Sequence, residues 1–268
     1  MSGFPSRSGA ATGLDHVGIA GAGLDTLAGA FLDLGFHLTP YAAHASGRTA
    51  NRCVMLRDGG YLELMATVPG QNSATLDRFL ARGPGAHVLA LEVADEAAAR
   101  GRLTRAGVAA GEVSITERLM DQAAPEGPRA RFALLMPPDP PEGRVLLIRH
   151  LTPGLLWRPE YVVHPNGATT LSEVVYASDA PASTMTTLSR LAGRPAQPDS
   201  LGGYQLPLDR GRVRVLPRAA AAELFPGVPN PSVIPSLMGL TIAADIASAR
   251  VVHAGGVAIR FVPALDGR

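Results

Sequence analysis

Among its 268 residues the chain has no lysine, so all 24 basic residues are arginine. That absence removes several chemistries at once: no lysine Schiff base, no pyridoxal phosphate anchor and no phosphate-loop lysine can form. The single cysteine, Cys53, can close no internal disulfide. It lies in an apolar run where a buried small hydrophobe is the ordinary reading, so thiol redox catalysis is disfavoured. No stretch approaches the roughly 18 uninterrupted apolar residues of a membrane-spanning helix. The richest, 145–156, is broken by Arg149 and His150. Residues 1–12 are rich in Ser, Gly and Ala and have no apolar core region. They read as a loose tail rather than a secretory signal, and the chain as a cytoplasmic protein that engages no membrane. Charges are sparse and of mixed sign, netting +1, which leaves no basic face for a nucleic-acid backbone.

What is present is an apolar fraction of 46%, enough for a real core at this length, and an internal repeat. Leu14-Asp15-His16-Val17-Gly18-Ile19-Ala20 is β-type and leads into residues 24–34. There Leu24, Leu27, Ala28, Phe31 and Leu34 recur at helical spacing before Gly35. Strands are expected at 37–41, 51–56 and 61–66, the last two joined by an Asp58-Gly59 turn. After a short helix at 74–81 and the break Gly83-Pro84-Gly85, the order βαβββ begins again. It gives a strand at 86–93, a helix at 95–106 and strands near 112–115, 131–136 and 144–149. The closing segments overlay without a gap, residues 59–70 on 143–154, with Gly, Leu, Pro and Gly in register.

A third unit reads as a strand at 171–176, a helix at 181–191 and a hairpin of 204–208 with 212–216. A fourth reads as a strand at 237–243, a helix near 247–253 and a strand at 257–262. The halves, 13–150 and 171–268, are separated by a loop-rich bridge at 151–170 that carries Trp157 and the turn His164-Pro165-Asn166-Gly167. The bridge reads as a tight loop pinned by an aromatic, or as a cover over a cavity.

The Leu-Asp-His-Val opening at 14–17, Leu-Gly-Phe at 34–36, Thr-Ala-Asn at 49–51 and Tyr-Leu-Glu-Leu at 61–64 resemble the running pattern of glyoxalase-like domains. These belong to the vicinal oxygen chelate superfamily, the fold of glyoxalase I and the extradiol dioxygenases. The resemblance spans about residues 13–170, and beyond that the repeat alone extends it. It implies an α+β fold of tandem βαβββ modules forming an open, cup-shaped mixed sheet, with a degenerate second pair of modules. It also implies a divalent metal ion (Zn, Fe, Mn, Ni or Co) held by His16, Glu63 and His87. The gapless overlay puts Leu147 at the place of the usual fourth ligand.

Two imidazoles and a carboxylate would leave open positions on such an ion for water and substrate. Against this stand a satisfied core histidine at His16 and a Glu63 that simply hydrogen-bonds across the sheet. His150 is the obvious substitute donor, but strand alternation turns it away if Leu147 faces the cup, unless a bulge intervenes. Arg149 would then face the cup and fork onto a substrate carboxylate or enolate oxygen. Glu63 and Arg149 are thus the expected catalytic residues. Glu173 and Leu237 stand where His16 and His87 stood, so the second half is expected to hold no metal. Rim loops at 41–48 and 121–129 would set specificity. Three functions follow from the resemblance: a metal-dependent lyase or isomerase acting on a small substrate with vicinal oxygens, an extradiol-type dioxygenase, or a metal-free small-molecule binding or resistance protein. The expected partners are a small-molecule substrate and a second copy in a homodimer.

Overall fold

The computed structural model describes residues 8–141, 143–228, 233 and 235–264. The first unit runs β1 (Ala11–Ala20), α1 (Leu24–Asp33), β2 (Ala42–Ala43), β3 (Thr49–Met55) and β4 (Tyr61–Thr67). After α2 (Ala74–Leu80), the second runs β5 (Gly85–Val93), α3 (Glu96–Arg105), β6 (Ser114–Leu119), β7 (Arg129–Leu135) and β8 (Arg144–His150). Local chemistry explains the helices. The apolar stripe Leu24, Leu27, Ala28 and Phe31 buries one face of α1, and Gly35, at φ +82, turns the chain away. Asp95 caps α3 by accepting from the Ala98 N–H at 2.8 Å.

These strands form one mixed sheet in the order β2-β3-β4-β1-β5-β8-β7-β6. An antiparallel pair, β1 and β5, lies at its centre, flanked by the parallel pairs β1/β4 and β5/β8. Its two rims meet where Gln122 donates its backbone N–H to the Tyr41 carbonyl at 3.0 Å and accepts from the Ala43 N–H at 3.3 Å. The sheet therefore curls into a nearly closed cup.

The second half comprises β9 (Ala168–Ser178), α4 (Pro181–Ala192), β10 (Gln197–Pro198), β11 (Tyr204–Pro207), β12 (Arg212–Pro217), α5 (Arg218–Leu224), β13 (Ser236–Ala244), β14 (Arg250–Ala254) and β15 (Val257–Pro263). It forms a seven-stranded sheet, β10-β11-β12-β9-β13-β15-β14. The sheets lie back to back. Leu14, Val17, Leu64, Leu91 and Leu147 from the first share one core with Leu171, Val174, Val213, Leu240 and Phe261 from the second, together with the buried sides of α1, α3 and α4.

Several expected elements differ. β1 begins at Ala11, inside the stretch read as a tail, whose residues 1–7 lie outside the described residues. Residues 37–41 are loop, and β2 is only two residues long. The helix expected near 247–253 is a bend followed by β14, which pairs with β15 from Arg250↔Phe261 to Ala254↔Val257. Its hairpin closes on Gly255 and Gly256, both at positive φ, the conformation a two-residue turn demands. Conversely, α5 was not expected. It packs across the second sheet with Ala221 and Phe225 against Val175, Leu216, Met238 and Ala258. The Phe225 ring lies so close to Gly239 that a Cβ there would come within 2.6 Å of it.

The face that would be a second cup is therefore filled by a helix and a ring. It is also tied by ions. Glu173 accepts from Arg212 and from the Thr241 hydroxyl at 2.7 Å, while Arg214 forks onto Asp199 at 2.7 Å through both nitrogens. Among the described residues no helix is long and apolar enough to cross a membrane.

Candidate active site

The first cup encloses about 350 Å³, lined by His16, His44, Tyr61, Glu63, His87, Arg118 and a wall of apolar side chains that includes Phe132, Leu134, Leu146 and Ile148. The two central strands each carry one bulge there. The register of β1 against β5 passes from Leu14↔Leu91 to His16↔Ala90, skipping Asp15, and from Gly18↔Val88 to Ile19↔Ala86, skipping His87. A bulge sets two successive side chains on nearly the same side of the sheet. Asp15 and His16 meet in this way: His16 Nδ1 donates to Asp15 Oδ1 at 2.7 Å, and Asp15 Oδ2 accepts from His150 Nε2 at 2.9 Å. Burial would raise the Asp15 carboxyl, but the charge and hydrogen bond of His150, reinforced by His16, outweigh it and lower its pKa to about 2.

Asp15 thus fixes the His16 ring and leaves Nε2 turned into the cup, 3.7 Å from Glu63 Oε2. The ring stacks on Tyr61 with centroids 4.4 Å apart. Glu63 is held from its other side. His44 Nε2 donates to Oε1 at 3.2 Å and Asn51 Nδ2 donates to the same oxygen at 2.5 Å. His44 Nδ1 lies 2.8 Å from the Thr49 hydroxyl. Burial pushes the Glu63 carboxyl up, yet the hydrogen bond and charge of His44, then His16 and Asn51, prevail and hold it well below the usual carboxylate range. Burial lowers the His87 pKa to about 4, and its Nδ1 has no hydrogen-bond partner among the described residues.

Three expectations are corrected at the residue level, and all three are one-residue offsets. The twofold relation between modules carries the pair His16↔Ala90 onto Val88↔Gly18. Val88, not His87, therefore occupies the place of His16, and His87 that of Asp15. Likewise Gly18 pairs with Glu63 and Ala90 with Leu146, so Leu146 rather than Leu147 stands opposite Glu63, while Leu147 is buried in the core behind the sheet. Strand alternation makes such an offset exchange faces. Arg149 accordingly faces away from the cup and forks onto Glu96 of α3 at 2.6 and 2.9 Å. His150 lies on the cup side, closed over by Trp157 of the bridge at a ring distance of 4.7 Å. His164 binds the bridge to the first module by accepting from the His37 N–H at 3.0 Å and donating to the Met55 carbonyl at 2.8 Å.

The four related positions are therefore His16, Glu63, Val88 and Leu146, two donors and two apolar residues. Among the described residues no group of three His, Cys, Asp or Glu side chains is placed to hold a metal ion. His16, Glu63 and His87 line one cavity, but their side chains do not form the ligand set expected from the sequence.

Two contributors had not been expected. His44 sits in a rim loop with no periodic pattern. Arg118 reaches the cup from β6, which runs beyond the strand expected at 112–115.

A family model described as a glyoxalase-like domain matches residues 14–192. A hypothetical protein from Staphylococcus aureus superposes with a TM-score of 0.72 at 14% identity, over 94% of this chain and 99% of that one. A xylose isomerase-like TIM barrel/4-hydroxyphenylpyruvate dioxygenase fusion protein gives 0.58 at 15%, over 91% of this chain and 38% of that one. A mutant 4-hydroxymandelate synthase from Streptomyces coelicolor gives 0.55 at 14%, over 88% and 72%. These likenesses show the fold. No curated protein matches the chain.

Proposed function

The chain belongs to the glyoxalase-like domain family, and from that premise we propose that it is a lyase or isomerase that moves a proton on a small substrate held in the first cup. The observation that carries this reading is the meeting of two hydrogen-bonded pairs, Asp15–His16 and His44–Glu63, with His16 Nε2 and Glu63 Oε2 3.7 Å apart. A histidine whose far nitrogen is fixed by a carboxylate is oriented to accept a proton with the other. A C–H proton beside a substrate carbonyl passes to His16 Nε2, and its electron pair moves onto the carbonyl oxygen. The imidazolium so formed lies between two anions, Asp15 and Glu63. Returning the proton to a different atom completes an isomerisation, and expulsion of a leaving group completes an elimination. Tyr61, buried under His16, keeps its phenol proton, because burial and then the neighbouring Asp15 and Glu63 charges raise it well above its ordinary value.

With two apolar residues among the four related positions, no step is routed through a metal, and the dioxygenase reading, which needs a redox ion, loses its footing. The test is proton exchange in deuterated, chelator-containing buffer with a panel of hydroxyketones, diketones and 2-oxo acids, followed by NMR. At least one member should lose its α-proton catalytically, and His16→Gln should slow this by about 10²- to 10⁴-fold, as expected for loss of a general base. A panel without exchange, or exchange that survives His16→Gln, sinks the reading. Elemental analysis separates the alternative. Protein purified without chelator should carry no stoichiometric transition metal, and an ion removed by Glu63→Gln but kept by His150→Gln would assign His16 and Glu63 to a metal instead.

A further inference from the structure

Arg118 is the unexplained charge of the cup. It is 7% exposed, it lines the cavity, and among the described residues no carboxylate lies within ion-pair distance of it. A guanidinium has five N–H donors. Among the described residues, those of Arg118 make only a long bond to the Leu119 carbonyl at 3.4 Å and a weak one to the Cys53 sulfur at 3.8 Å. The sulfur is no counter-charge, since burial raises the Cys53 thiol to about 12. The other arginine at this cavity, Arg144, is already occupied by Asp139 through both nitrogens, at 3.0 and 3.1 Å. A desolvated, unpaired cation is costly to keep, and such charges are retained where something else completes them.

The surroundings say what would complete it. The guanidinium carbon lies 6.0 Å from the Phe132 ring centre, beside Leu134, Leu146 and Ile148 in the same wall. Cys53 is the cross-strand partner of Glu63, so the Arg118 head lies on the His16–Glu63 side of the cup. We propose that Arg118 is the anchor for the carboxylate of a small organic acid with an apolar body, and that such acids are the substrate class. A single planar fork suits the two coplanar oxygens of a carboxylate, and 350 Å³ suits a compact ligand. The inference rests on the proton-transfer reading only in taking this cup as the substrate site.

The test uses the full-length protein and binding rather than turnover, with calorimetric titration of phenylacetate, its neutral amide phenylacetamide, and phenyl phosphate. Phenylacetate should bind at least about 10-fold more tightly than the amide, the margin a charge-assisted fork supplies. Arg118→Met and Arg118→Gln should abolish that preference, while Arg144→Gln keeps it. The melting temperature of Arg118→Met should not fall, because an apolar side chain replaces a lone buried cation. Equal affinity for acid and amide, unchanged preference in both Arg118 variants, or tighter binding of phenyl phosphate than of phenylacetate overturns the proposal. So does an Arg118→Met protein that melts lower yet still prefers the acid, which would mark a structural role. His16→Gln should bind phenylacetate normally while losing exchange, so failure of the catalytic reading and failure of the anchor give different results.

Discussion

Replacing Phe225 with alanine should lower the unfolding free energy by about 3–5 kcal/mol, the cost of deleting a fully buried ring, and should leave proton exchange at the first cup nearly unchanged. Phe225 is completely buried and plugs the face of the second sheet that corresponds to the cup of the first. The ring packs on Gly239, where a Cβ would lie 2.6 Å from it. Gly239→Ala should therefore also destabilise, through overpacking rather than a cavity. The double variant should be less damaged than the sum of the two, since removing the ring makes room for the methyl. Urea denaturation of the four proteins measures this. If the effects simply add, the ring and the glycine are not in contact. If Phe225→Ala abolishes exchange with the fold intact, the second half does more than support the first.

That division of labour follows from what replaced the polar groups in the second half. Glu173 stands near the place of His16 in the repeat, yet it is consumed by Arg212 and Thr241, and Arg214 by Asp199. Both of these carboxylates are thus taken up by arginines of β12. In the first cup the pairs Asp15–His16 and His44–Glu63 still leave His16 Nε2 turned into the cavity, and among the described residues His87 Nδ1 has no hydrogen-bond partner and Arg118 no carboxylate. An unfilled cavity with incompletely satisfied charge is a place for a ligand, whereas a filled and satisfied one is structure.

Much of this architecture was legible in the sequence because it is written in periodicity and turn chemistry. The stripe of α1, its stop at Gly35 and the turn at Gly59, which adopts φ +96, act within a few residues of themselves. The repeat was legible for the same reason. Its residue-level register was not, because bulges at Asp15 and His87 leave no mark on apolar patterning, and a single inserted residue exchanges the faces of a strand. With His87 on His16 and Leu147 on Glu63, the sequence pattern places Arg149 in the cup and His150 out of it, the reverse of what the strands do. Arg118 is not legible as a cup residue because β6, Ser114–Leu119, is longer than its sequence pattern suggests. The helix α5, seven residues from Arg218 to Leu224, is too short to be stable alone and exists through Ala221 and Phe225. The stretch near 247–253 went the other way, with helix-forming alanines overridden by pairing to β15.

Of all the catalytic changes, Asp15→Asn should be among the most costly for its size. The substitution removes one negative charge and almost no volume. Asp15 accepts from His16 and His150 at once, at 2.7 and 2.9 Å, and an asparagine has only one oxygen to offer them. Its amide would present N–H to one of the two rings, turning that ring or forcing its other tautomer. If the ring affected is His16, the nitrogen facing Glu63 becomes a donor and can no longer take a proton. Exchange should fall by about 10²- to 10⁴-fold, comparable to losing the base itself. Asp15→Glu should also fail, because an added methylene moves the carboxylate off the two rings it now meets at 2.7 and 2.9 Å. The distinguishing measurement is the double variant Asp15→Asn/His16→Gln. If Asp15 acts through His16, it should exchange no more slowly than His16→Gln alone, since groups working as one unit lose their effect once. A further drop in the double variant would mean that Asp15 also acts apart from His16, and an Asp15→Asn protein of normal rate would mean that the carboxylate serves folding alone. Phenylacetate affinity should hold in Asp15→Asn, because the anchor at Arg118 does not depend on which nitrogen of His16 carries the proton.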